Sequence, residues 1–122
     1  MNHTLCWTDI PVLNLDRAIT FYSAVLGASA LKQSGGGQEF GLLPGYDKGV
    51  SGCLCVGENH VPSLQGPLIY LSVEGRPDDA IAAAVKTKGA VLLPKHPIGP
   101  HGFRAIITDS EGNRIALHSQ TA

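Results

Sequence analysis

Apolar and polar positions along the chain spell out the same succession of elements twice. Over residues 5–12 the β-prone side chains Thr8, Ile10 and Val12 fall at every second position, the period of a strand with one covered face. Asn14 follows as a helix-capping residue, with Asp16 placed against the positive end of the helix dipole. Leu15, Ala18, Ile19, Tyr22, Val25 and Leu26 then recur three and four residues apart, the stripe of an amphipathic helix, and Gly27 is expected to close it. The second pass starts with a strand over residues 68–73 that has Ile69, Leu71 and Val73 on one side. Pro77 suits a first helical turn and Asp78 and Asp79 stand beside it. Ile81, Ala84 and Val85 supply a stripe, Lys86 and Lys88 lie at the negative end, and Gly89 is expected to end the helix.

Gly27-Ala28 and Gly89-Ala90 are 89 − 27 = 62 residues apart, about half of a 122-residue chain, which indicates a duplicated unit. After each helix comes strand material broken by turns. It occupies residues 28–33, 38–43 and 50–56 in the first half, and 91–95, 103–108 and 114–119 in the second. The breaks are Ser34-Gly35-Gly36-Gly37, Pro44-Gly45-Tyr46-Asp47, residues 97–102 and Asp109-Ser110-Glu111-Gly112-Asn113. Each half therefore reads β-α-β-β-β. The expected organisation is one α+β domain over 1–122, with a first module at 1–57, a linker at 58–66 and a second module at 67–122. Two curved mixed sheets, each covered by one helix, are expected to surround a concave pocket.

Composition narrows the function classes. Hydrophobic residues at 43% and charged residues at 16% fit a chain with a packed core rather than a disordered one. Nine Lys+Arg against ten Asp+Glu leave a formal charge of −1. That balance, without a basic run, gives no footprint for nucleic acid or an acidic membrane surface. Apolar runs fall far short of the roughly 20 residues that span a bilayer. Met1 to Thr4 lack the basic segment and apolar stretch of an export signal, so a cytoplasmic location is expected. Three cysteines, Cys6, Cys53 and Cys55, are too few for a disulfide framework and are read as reduced thiols.

Ile10-Pro11-Val12 ahead of Asn14-Leu15-Asp16-Arg17-Ala18, then Phe21-Tyr22 and Val25-Leu26-Gly27, resemble the vicinal oxygen chelate superfamily in their duplicated setting. That group contains glyoxalase I, bleomycin-resistance proteins, fosfomycin-resistance enzymes and extradiol dioxygenases. Thr108-Asp109-Ser110-Glu111-Gly112-Asn113 is similar to the family's Asp-Pro-x-Gly-Asn hairpin, with Ser110 where proline is usual. The resemblance spans nearly the whole chain. It implies the fold and leaves the activity open.

The resemblance also implies where a divalent ion would sit: on His, Glu or Gln side chains from the first and last strands of each half, facing two neighbouring substrate oxygens. Here the first-strand places fall on Trp7 and Leu68, and the last-strand place of the second half on Ala116. The remaining place lies within residues 52–56, which hold Cys53 and Cys55 but no His, Glu or Gln. The family's metal site is therefore expected to be lost, and no cofactor is expected. A rearranged site from His118, Asp9 and a cysteine is the alternative. Cys53 and Cys55 point to one face of a strand, where small buried residues are the ordinary reading.

Strand alternation places Trp7, Asp9 and Pro11, Leu68, Tyr70 and Ser72, and Arg114, Ala116 and His118 on the concave face. Trp7 and Tyr70 either wall a ligand or fill the space of the missing ion. Asp9 and His118 are candidates for a proton-transfer pair, against a reading as a strand-end acceptor and a surface histidine. Arg104 suits a carboxylate or phosphate, on a face that alternation leaves open. His101 lies on a loop near the mouth, and Glu58-Asn59-His60 reads as surface. The expected function is binding of a small molecule through Trp7, Asp9, Tyr70, Arg104 and His118. The alternative is a lyase, isomerase or dioxygenase-type enzyme with rearranged ligands or metal-free acid–base chemistry. Open sheet edges in each half point to a homodimer.

Overall fold

The computed structural model describes residues 3–122 and contains eight strands and two α-helices. The first module runs β1 (Trp7–Pro11), α1 (Leu15–Leu26), β2 (Leu31–Gly35), β3 (Gln38–Leu42) and β4 (Ser51–Cys55). The second runs β5 (Ile69–Ser72), α2 (Pro77–Lys86), β6 (Ala90–Pro97), β7 (Phe103–Thr108) and β8 (Arg114–Ser119), with a short 3-10 turn at Gly99–His101. The sheets have the orders β1-β4-β3-β2 and β5-β8-β7-β6, in each of which the first-listed pair is parallel and the others antiparallel. The duplicated β-α-β-β-β pattern is thus present in three dimensions. The two sheets are not closed on one another: β1 and β5 each end a sheet.

Local signals explain the element ends. The Asn14 side chain accepts a hydrogen bond from the Arg17 backbone N–H at 3.0 Å, and Gly27 takes the left-handed conformation (φ 70°) with its N–H on the Ser23 carbonyl. The first hairpin turns on Gly36-Gly37, both at positive φ, so β2 continues through Ser34 and Gly35, which the sequence reading places in the turn. Gly89 behaves differently from expectation. The helix ends at Lys86, and Lys88 (φ 80°) makes the left-handed step. Gly89 is required by close approach instead: a Cβ there would stand 2.5 Å from the Thr108 carbonyl oxygen and 2.7 Å from Phe21 Cε2.

A single core joins the halves. Phe21, Tyr22 and Val25 of α1, Ala80 and Ala84 of α2, Ile10 and Leu54 of the first sheet, and Ile107, Ile115 and Leu117 of the second are buried together, and α1 packs on α2. Arg76 at the start of α2 donates to the Val25 carbonyl at 2.7 Å, satisfying the open end of α1.

The hairpin 109–113, read in the sequence as a turn and as a recurring motif, carries three buried polar side chains, Asp109, Glu111 and Asn113. The Tyr22 hydroxyl donates to Asp109 at 2.5 Å. Asn113 Nδ2 donates to the Pro11 carbonyl at 2.7 Å. Glu111 accepts from the backbone N–H groups of Leu13 and Asn14 and from the Arg17 guanidinium. The second module is hooked to the strand–helix junction of the first by these bonds.

Candidate functional site

A cleft of about 880 Å³ takes its lining from both edge strands, with Trp7, Asp9 and Pro11 from β1 and Tyr70 and Ser72 from β5. Alternation explains the arrangement: Ile10 is turned into the core, and Trp7 and Tyr70 remain 41% and 46% exposed on the other side. Arg114, at the start of β8, also lines the cleft. Its Nη2 donates to the Gly66 carbonyl at 3.2 Å, and its Nε is buried without a hydrogen-bond partner among the described residues.

On the first sheet the parallel register sets Asp9 beside Cys53 and Pro11 beside Cys55. The Cys53 thiol donates to Asp9 Oδ1 at 3.2 Å, and the Cys55 thiol reaches the Ile10 carbonyl at 3.8 Å. One ligand atom from each of Asp9, Cys53 and Cys55 lies within 4.8 Å of the others. Burial, reinforced by the Asp9 carboxylate, pushes the Cys53 thiol up to about 12, and burial pushes Cys55 up as well. Both are protonated thiols at neutral pH in the ion-free chain and so are weak nucleophiles. His60 is not a surface residue of the linker. A bridge between Gly57 and His60 turns the chain back, and His60 Nδ1 lies 3.6 Å from Cys55 Sγ.

On the second sheet Arg104 lies opposite both His118 and His96, so its side chain shares the face of Tyr70. It donates to the Tyr70 hydroxyl at 2.7 Å, and its Nε and Nη2 reach His96 Nε2 at 3.3 and 3.1 Å. His96 Nδ1 is 2.8 Å from the Pro94 carbonyl, which can only accept. The proton is therefore on Nδ1, and Nε2 offers its lone pair to Arg104. The same reasoning protonates His118 Nε2, which lies 2.6 Å from the His101 carbonyl.

Of the five residues expected to bind a ligand, Trp7, Asp9 and Tyr70 meet at the cleft, whereas Arg104 and His118 lie outside its lining. Arg104 acts on the cleft through Tyr70, and the His118 ring centroid is 6.5 Å from that of Tyr70. Asp9 and His118 are not brought together in the chain: one faces Cys53 and the other the His101 carbonyl. His96 and His60 are the members that sequence reasoning missed. Strand β6 shifts register on either side of Leu93, which breaks the alternation that would have placed His96. His60 depends on a loop bridge that no periodicity encodes.

The fold has close counterparts among solved structures. A glyoxalase/bleomycin resistance protein from Albidiferax ferrireducens T118 superposes with a TM-score of 0.75 at 17% identity, covering 96% of this chain and 98% of that one. The genomically encoded fosfomycin resistance protein from Listeria monocytogenes gives 0.68 at 16% identity, covering 98% and 94%. A glyoxalase-related enzyme from Fulvimarina pelagi gives 0.68 at 12% identity, covering 95% and 87%. No curated protein matches the chain in sequence. The family profile matches residues 1–117, and with the doubled module and the Asp109–Asn113 hairpin this places the chain in the Glyoxalase/Bleomycin resistance protein/Dioxygenase superfamily.

Proposed function

We propose that the protein binds a small amphipathic anion in the cleft between β1 and β5. The observation that carries this reading is the composition of the cleft: two half-exposed aromatic side chains from different sheets, and the Arg114 guanidinium in the same lining. A ligand carboxylate, sulfonate or phosphate is the natural partner for the Arg114 guanidinium in the cleft wall. Indole and phenol faces supply flat apolar contact at small conformational cost. Arg104 orients the Tyr70 hydroxyl.

The family's divalent ion does not fit the family's places in this chain. Trp7, Leu68 and Ala116 present indole, isobutyl and methyl groups, which offer no lone pair to a cation, and Ala116 is fully buried. The open edges of β1 and β5, with Leu31 and Leu93 exposed on the sheets, support a homodimer. The three free cysteines suit a reducing, cytoplasmic setting. Among the described residues no helix is long and apolar enough to cross a membrane.

An anilinonaphthalene sulfonate, an aromatic anion, tests the reading. Trp7 is the chain's one tryptophan and reports occupancy by energy transfer. Saturable binding at one probe per cleft is expected, weakened about tenfold in Tyr70→Ala and in Arg114→Gln, in keeping with the loss of roughly 1.4 kcal/mol each. Non-saturable binding, or binding indifferent to both substitutions, overturns it.

A further inference from the structure

The thiol pair on β4 takes no part in the cleft reading, and its surroundings point to coordination chemistry. Cys53 and Cys55 are two residues apart on one face of the strand, and the parallel partner β1 brings Asp9 into line with Cys53. Gly52 lets the two strands approach this closely: a Cβ there would stand 2.4 Å from the Thr8 carbonyl oxygen. The loop bridge at Gly57 and His60 then returns an imidazole to Cys55. Three donors, Asp9, Cys53 and Cys55, bring their ligand atoms within 4.8 Å of one another, and His60 flanks Cys55.

Their spacing suits a small tetrahedral ion. Zinc bonds of about 2.3 Å to sulfur and about 2.0–2.1 Å to nitrogen or oxygen place neighbouring ligand atoms roughly 3.5–3.8 Å apart. The Cys55 Sγ to His60 Nδ1 separation is 3.6 Å, and the Cys53 Sγ to Asp9 Oδ1 separation is 3.2 Å. We propose that Asp9, Cys53 and Cys55 form a three-donor site for a thiophilic divalent cation of the zinc class, with His60 beside Cys55 as an outer neighbour and the fourth position facing the cleft. Two sulfur donors select against magnesium and calcium, which take oxygen ligands. Asp9 and His60 both line the cleft, which gives the ion a route in. Binding replaces the two thiol protons, which leave to solvent, and forms two metal–sulfur bonds. The site draws its protein donors from one module, and it stands whether or not the cleft takes an organic anion.

Cobalt(II) added to the reduced, full-length protein reads the site directly. One cobalt per chain is expected, with a thiolate-to-cobalt charge-transfer absorption that one equivalent of zinc abolishes. Cys53→Ser and Cys55→Ser are each expected to diminish that absorption and to weaken zinc binding by about 100-fold or more, and His60→Ala by about tenfold. Cys6→Ser changes neither, because Cys6 is exposed and outside the cluster. No charge-transfer absorption in the native chain, or its survival in both Cys53→Ser and Cys55→Ser, overturns the proposal. Asp9 is exposed, so Asp9→Asn provides a variant that keeps the fold where a cysteine change does not. It weakens zinc binding by about tenfold while the thiolate absorption remains, and an unchanged affinity counts against the site.

Discussion

Replacing Glu111 by glutamine tests how the two modules are fastened. The Glu111 side chain is fully buried against Arg17. It receives the Leu13 and Asn14 backbone N–H groups at 2.8 Å each, Arg17 Nε at 2.7 Å, Arg17 Nη2 at 2.9 Å and the Ser110 hydroxyl at 2.8 Å. Burial alone would raise its pKa. The Arg17 partner, the two backbone donors and Ser110 outweigh burial and hold it at about 2, against an ordinary 4.5. At 1.36 kcal/mol per pH unit, that gap places roughly 3 kcal/mol of folding stability on the ionised carboxylate. Because the folded value lies below the unfolded one, this stability is complete above about pH 4.5 and drains away as pH falls towards 2. Glu111→Gln keeps the shape and removes the charge. The variant is expected to be less stable than the wild type by about 3 kcal/mol at pH 7, and the difference should close on acidification to about pH 2. Urea unfolding of both proteins by circular dichroism across that range measures the difference and cancels the other carboxylates, which titrate alike in both. A difference under about 1 kcal/mol at pH 7, or one that stays constant down to pH 2, refutes the reasoning.

Gly89→Ala forces a methyl into the Thr108 carbonyl and the Phe21 ring and should cost about 1–3 kcal/mol in thermal unfolding; a wild-type melting temperature would show that the contact yields freely. Sedimentation at micromolar concentration should give twice the chain mass, and Leu31→Asp, on the exposed second strand, should shift it towards monomer; a wild-type monomer counts against pairing.

The chain order of elements was open to reading because local signals agree with the fold at almost every joint. Asn14, Gly27 and Pro77 do in three dimensions what their positions announce. Alternation also put Trp7, Asp9 and Tyr70 on the right faces, since Ile10 and Val73 had to be covered. What it lacks is any statement of which face meets which. Asp9 and His118 share a phase in the repeat yet lie on separate sheets, each with its own partner. The same gap hid Glu111, whose partners Leu13, Asn14 and Arg17 lie 94 to 98 residues earlier, so that only the packing of one module on the other brings them within reach. Gly89 was read for its backbone freedom when the fold needs its missing side chain.

The hook has a direction. The third residue after the helix cap is Arg17 in one half and Asp79 in the other. Glu111 therefore meets a cation at the first helix, where the matching position of the second helix would offer it a like charge. The backbone is written twice, but this clasp is charged for one partner only.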